Sequence, residues 1–217
     1  MIVSGPQRSE RLERARLYFV TEFFPDIVAG ALAGGVDMVQ LREKGAPDET
    51  LVEGVRALRA LCDRHGALLI LNDRPDLALA SGADGVHVGQ DDADPGAVRA
   101  EVGPDLLIGV STHSPEQIAA ARESEADYLG VGPVYATATK PGAKPVGVEL
   151  VAHASAHAGK PFFAIGGIDP GRVPAVRAAG AERVAVVRAI RDSADPRAAA
   201  EALRTALVEG SPVGAAR

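Results

Sequence analysis

Residues 38–72 read MVQLREKGAPDETLVEGVRALRALCDRHGALLILN. The first five are a short, mostly apolar run, and residues 68–72 (LLILN) are another; both have strand length. Between them, residues 51–65 place apolar side chains at helical spacing. The stretch therefore predicts one β–α–β unit. The same rhythm runs along the chain, with further apolar or β-branched runs at 17–21, 85–89, 106–111, 128–134, 161–167 and 183–187. Helical patterns at 115–123 and 170–179 fall between them. About eight alternating units predict a parallel sheet covered by helices, and in this length they fit a single (β/α)8 TIM barrel of the α/β class. An open doubly wound sheet is the alternative. Such sheets often carry a glycine-rich turn after the first strand, whereas here Thr21 leads into Glu22, Phe23, Phe24 and Pro25. The glycines cluster late instead, with Gly166 and Gly167 ending the seventh run.

One domain over residues 1–217 is expected, since 47% of the residues are hydrophobic and one core can be filled. The polar ends, 1–16 and 211–217, are expected to be flexible. No apolar run approaches the roughly 20 residues of a membrane span, and no basic-then-apolar leader opens the chain. A cytoplasmic protein without membrane contact is the expectation. Cys62 is the only cysteine, so one chain can form neither an internal disulfide framework nor a thiolate metal site. A net charge of −6 does not advertise nucleic-acid binding, so an anionic ligand would need a local cluster of positive groups. Small-molecule substrates are expected, and a homo-oligomer is left open.

In a parallel barrel the active site forms at the C-terminal ends of the strands. Here those ends are polar. Gln40 and Arg42 fall on one side of the second run, facing the mouth, while Leu41 packs outward. An inward guanidinium suits the paired oxygens of a phosphate, and Lys44 follows two residues later. Asp73 and Asp92 end adjacent runs, where two carboxylates can share a hard, phosphate-touching cation such as Mg²⁺. A salt bridge from Asp73 to Arg74 or Arg42 is the structural alternative. His87 lies on a strand and reads as a packed, hydrogen-bonding histidine rather than a ligand. Gly166 and Gly167, with a helix starting near Pro170, could cradle an anion through backbone N–H groups; a tight turn is the plainer reading. Val187, Arg188 and Ala189 at the end of the eighth run complete that second anion site.

Seven segments, in order, resemble the thiamine phosphate synthase family: 39–44 (VQLREK), 71–74 (LNDR), 85–92 (GVHVGQDD), 109–113 (GVSTH), 130–140 (GVGPVYATATK), 164–168 (AIGGI) and 186–190 (VVRAI). The resemblance covers nearly the whole chain, from Leu17 to Leu207. It implies that a pyrimidine diphosphate and a thiazole phosphate are joined, with release of pyrophosphate. It also implies that Gln40 and Asn72 contact the aminopyrimidine, that Arg42, Lys44, Ser111 and Lys140 hold the diphosphate and carry catalysis, and that Asp73 and Asp92 bind Mg²⁺. Thr137, Thr139 and Gly167 would hold the thiazole phosphate. In the family's mechanism the diphosphate leaves first and the thiazole nitrogen captures a pyrimidine carbocation. No strong protein nucleophile or base is then needed, which fits the absence of an obvious catalytic triad. The family usually has Ser at position 188, where this sequence has Arg. The motif alignment favours Asp92 over its neighbour Asp91 as metal ligand.

Two other readings compete. A thiazole tautomerase of the same fold would isomerise its ligand with a histidine, and fold alone does not exclude it. It would have no diphosphate to expel and no need for Arg42, Lys44, Asp73, Asp92 and Lys140 together. A noncatalytic sensor would bind the phosphate ligands without turnover.

Overall fold

The computed structural model describes residues 4–137, 139, 142 and 144–209. Helix α1 (Gly5–Arg14) leads into β1 (Leu17–Thr21), α2 (Pro25–Ala33), β2 (Met38–Leu41) and α3 (Asp48–His65). There follow β3 (Leu68–Asn72), α4 (Pro75–Ser81), β4 (Gly85–Val88), α5 (Pro95–Val102), β5 (Leu107–Thr112) and α6 (Pro115–Glu123). The last third holds β6 (Tyr128–Val131), α7 (Gly147–His157), β7 (Phe162–Ile165), α8 (Val173–Ala178), β8 (Val184–Val186), α9 (Arg188–Arg191) and α10 (Pro196–Glu209). The strands pair in parallel in sequence order and β8 returns to β1, closing the (β/α)8 barrel.

Each strand is buried on both sides, and its alternation divides the core in two. Outward residues such as Phe19, Val39, Leu41, Leu69, Leu71 and Ile108 pack beneath the helices. Inward residues Tyr18, Val20, Met38, Leu68, Ile70, Leu107, Tyr128, Phe163 and Ala185 fill the barrel itself. Leu12 of α1 joins that interior set and plugs the N-terminal end.

The expectation of a flexible stretch at 1–16 is corrected over α1. Its charged sequence is anchored from one side: Arg8 Nε bonds the buried Asp84 carboxylate at 3.1 Å, and Arg59 reaches the other oxygen at 2.6 Å. Three aspartates recur at this end, each one residue before an even-numbered strand. Asp37 Oδ2 accepts the N–H of Leu17, Asp84 Oδ2 that of Leu69 and Asp127 Oδ2 that of Ile108. Arg204, Arg59 and Arg99 pair with them at 2.6, 2.6 and 2.7 Å.

Two strand ends and a helix start also differ from the sequence reading. β6 stops at Val131, because Pro133 has no N–H to continue the ladder. β7 stops at Ile165, because Gly166 and Gly167 turn to φ +104° and +65°. The helix expected near Pro170 begins only at Val173; a turn on Asp169, whose carbonyl accepts from Arg172 and Val173, occupies the residues between.

Candidate active site

The strand C-termini surround a cavity of about 660 Å³. Its floor is aromatic. Tyr18 and Phe163 line it and meet Tyr128, buried beneath them, edge to face, with centroids 5.2–6.0 Å apart. Such packing is rigid and holds the residues above it in place.

Gln40 is buried above this floor and donates from Nε2 to Tyr18 Oη. Arg42, half-buried, and Lys44 line the same wall. Neither has a carboxylate within ion-pair distance among the described residues; the charge Arg42 exerts falls on His87. Arg74 is instead bound to Asp48 and Asp76 at 2.5 and 2.6 Å, so the alternative of an Asp73–Arg74 salt bridge is not what the chain forms.

Asp73 follows β3 directly and takes φ +58°, a left-handed conformation costly for a non-glycine residue. Its N–H is held by the His87 carbonyl at 2.8 Å. The turn brings its carboxylate within hydrogen-bond reach of Asp92, whose Oδ2 accepts from Gly89 N at 2.7 Å. Burial, and then the Asp92 charge, raise the Asp73 pKa above the usual carboxylate range, while Asn72 and Lys44 draw it down. Two carboxylates in contact repel, and a shared cation relieves that repulsion. Among the described residues no third His, Cys, Asp or Glu joins them. Mg²⁺ suits such a pair, because it keeps waters and takes phosphate oxygens for its other positions.

His87 is held at both nitrogens, by Tyr128 Oη at 3.2 Å and Ser111 Oγ at 2.9 Å. Burial pushes its pKa down to about 4, with a smaller upward pull from Asp92 and a downward one from Arg42. This is the packed, hydrogen-bonding histidine the sequence predicts, with both nitrogens occupied. Ser111 also presents its carbonyl to Gln90 Nε2 at 2.6 Å.

Across the mouth, Gly166 and Gly167 form a cradle against the segment after β6. Val134 N and Tyr135 N donate to the carbonyls of Ile165 and Gly166 at 2.8 and 3.0 Å, and Arg172 donates to that of Gly167. A Cβ on Gly167 would stand 2.8 Å from the Ala136 carbonyl oxygen, so the backbone approach requires glycine. Thr137 and Thr139 line the cavity beside it, with Thr139 N 3.3 Å from Thr137 Oγ1. Val187 caps the short α9, and Arg188 pairs with Asp192 at 2.8 Å with its guanidinium largely in solvent. The cavity thus collects Gln40, Arg42, Lys44, Asn72, Asp73, Asp92, Ser111, Thr137, Thr139, Gly167, Val187 and Arg188. Lys140 lies outside the described residues. The sequence reading missed Tyr18, Tyr128 and Arg172. The tyrosines read as core residues of strands, and Arg172, stacked 4.9 Å over the Tyr135 ring, sits in a turn without a motif.

A model of the thiamine monophosphate synthase family matches residues 17–190. The thiamine-phosphate synthase of Gloeobacter violaceus is 55% identical over 196 residues, 89% of this chain. The chain spans 58% of that relative's length, less than two thirds. The thiamine-phosphate synthase of Mycolicibacterium smegmatis is 48% identical over 214 residues, covering 91% of this chain and 94% of the relative. Among solved structures, thiamine phosphate pyrophosphorylase from Pyrococcus furiosus superposes with a TM-score of 0.86 at 34% identity, over 94% of this chain and 99% of that one. No described helix is long and apolar enough to cross a membrane. With two thirds of its length and more inside the family model, the chain belongs to the thiamine monophosphate synthase family.

Proposed function

We propose that this chain is a transferase that joins 4-amino-2-methyl-5-hydroxymethylpyrimidine diphosphate to 4-methyl-5-(2-phosphooxyethyl)thiazole, forming thiamine phosphate and pyrophosphate. The observation that carries this reading is the presence in one cavity of two positive groups, Arg42 and Lys44, that form no ion pair among the described residues, and of the carboxylates Asp73 and Asp92 within hydrogen-bond reach of each other. A leaving diphosphate needs both kinds of group. Gln40 and Asn72 orient the pyrimidine over the aromatic floor. Arg42, Lys44, Ser111 and Lys140 hold the diphosphate, and their hydrogen bonds strengthen as charge gathers on it. Asp73 and Asp92 would hold Mg²⁺, which supplies charge neutralisation for the departing group.

Departure of the diphosphate leaves a pyrimidine carbocation. Thr137, Thr139 and the backbone N–H groups around Gly167, Val187 and Arg188 fix the thiazole phosphate so that the ring nitrogen faces that carbon. The nitrogen lone pair forms the new C–N bond, and no protein base takes part in bond formation. The protein would act in the cytoplasm on these two small molecules, without nucleic acid or membrane, and assembly into a homo-oligomer is compatible with this site.

The test is incubation of the purified protein with both substrates and Mg²⁺, measuring thiamine phosphate and pyrophosphate in equal amounts. Binding of either substrate without pyrophosphate release would overturn the reading. Full activity in excess chelator would remove Mg²⁺ from it.

A further inference from the structure

A continuous line of hydrogen bonds crosses the barrel interior, from β2 through β1, β6 and β4 to β5. Gln40 Nε2 bonds Tyr18 Oη, Tyr18 Oη lies 3.1 Å from Tyr128 Oη, Tyr128 Oη lies 3.2 Å from His87 Nδ1, and His87 Nε2 lies 2.9 Å from Ser111 Oγ. Room for it is cut into the neighbouring strands. A Cβ on Gly109 would fall 2.2 Å from Tyr128 Cζ and 2.4 Å from His87 Nδ1, and one on Gly130 would fall 3.4 Å from His87 Cε1. Burial drives both phenols well above their ordinary pKa, so each keeps its proton.

One order of the protons gives both phenol protons an acceptor inside the line. An amide nitrogen only donates, so Tyr18 Oη accepts from Gln40, and in this order its own proton turns to Tyr128 Oη. Tyr128 then donates to His87 Nδ1, which must be the unprotonated nitrogen of a neutral ring. The imidazole proton therefore sits on Nε2 and is given to Ser111 Oγ. The serine's own proton is left over, and the mouth is where it can go. At the other end, with Nε2 committed to Tyr18, Gln40 offers its carbonyl oxygen to the cavity. The opposite order would have Tyr18 Oη accept from both Gln40 and Tyr128, and would leave the Tyr18 proton without an acceptor inside the line.

We propose that Tyr18, Tyr128 and His87 are positioning residues whose one-way hydrogen-bond line makes Ser111 a hydroxyl donor to the diphosphate and Gln40 a carbonyl acceptor to the pyrimidine. The proposal rests on the substrate placement given above. It adds that the two ends of one substrate are read by a single connected device, in which loss of a middle link loosens both.

Nitrogen-15 NMR of the histidine rings tests the polarity on the resting protein, with His87 assigned by its loss in His87→Gln. Between pH 6 and 8 its Nε2 should be protonated and its Nδ1 bare; a proton on Nδ1 overturns the proposal. Tyr128→Phe removes one oxygen at the middle of the line. It should raise KM for the pyrimidine diphosphate by about tenfold and leave KM for the thiazole phosphate within about twofold. Ser111→Ala should then cost less in the Tyr128→Phe background than in the parent. Unchanged constants in a folded Tyr128→Phe protein, or fully additive losses, would also overturn it. A parent without turnover would refute the proposed function, while the tautomer would still decide the line.

Discussion

Arg42 differs from Arg59, Arg74 and Arg99, each of which is bound to an aspartate. A guanidinium that meets no carboxylate among the described residues of the mouth is held ready for an anion from outside. Arg42→Ala should slow the single-turnover rate at saturating substrates by about 30- to 1,000-fold, the loss expected for one charge-assisted donor pair on a developing charge. Arg42→Lys should recover part of it, having the charge without the fork. An unchanged chemical step would make Arg42 structural. His87 gives a different test. Its folded pKa of about 4 lies below the 6.5 of an unfolded histidine, so the unfolded chain takes up the proton first as pH falls. Its contribution is intact above about pH 6.5 and is lost progressively towards pH 4, by about 3 kcal/mol in all. Denaturant unfolding at pH 7 and 4.5 should show a smaller acid loss in His87→Gln than in the parent. At this scale much was legible: Gln40, Arg42 and Asp73 follow from strand alternation and from where strands end, while the choice of Asp92 over Asp91 came from the resemblance. Tyr18 and Tyr128 did not, because a tyrosine inside an apolar run carries no sign of which side it faces or what its hydroxyl meets.

Elements were read with similar unevenness. β1 and β3 and helix α6 have the limits their patterns predict, because turn residues bracket them closely. Pro133 and the glycine pair moved the ends of β6 and β7, since backbone conformation there is set by contacts with the next loop. Helix α1 was invisible because its apolar residues are few and its anchor, Asp84, lies 76 residues away from Arg8. Strand β5 shows how tightly one element can be bound to its neighbours. Gly109→Ala should be among the most damaging small substitutions in the chain, since a methyl would meet the Tyr128 ring and His87 with fixed backbone on either side. The expected cost is about 3 kcal/mol, read as a lower denaturation midpoint. A parental midpoint would mean that Tyr128 is free to move aside.

The whole molecule separates its tasks by end. The proposed chemistry belongs to the mouth, and the Arg8–Asp84–Arg59 cluster belongs to the opposite end. Asp84→Ala leaves the buried Arg8 guanidinium without its carboxylate and the half-buried Arg59 with Asp63 alone, and should cost about 3 kcal/mol of stability. At a temperature where the variant is folded, kcat should match the parent. A kcat that falls in step with stability would show that the two ends are coupled.

The aspartates that precede β2, β4 and β6 have a consequence for the order of assembly. Each ties a strand to the one before it, joining partners about 20 residues apart at Asp37 and Leu17, 15 at Asp84 and Leu69, and 19 at Asp127 and Ile108. The corresponding position before β8 is Arg183, and its guanidinium reaches back 170 residues to the carbonyl of Glu13 at the end of α1. Loops that short close readily, whereas joining the two ends of the chain carries a far larger entropic cost before any contact forms. The three tied pairs should therefore gain protection early in refolding, with the seam between β8 and β1 sealing last. Pulsed hydrogen exchange would follow this directly: the amides of Leu17, Leu69 and Ile108 should be shielded before that of Val184, which bonds Arg16 across the seam. Simultaneous protection of all four would mean that the cylinder closes in one step.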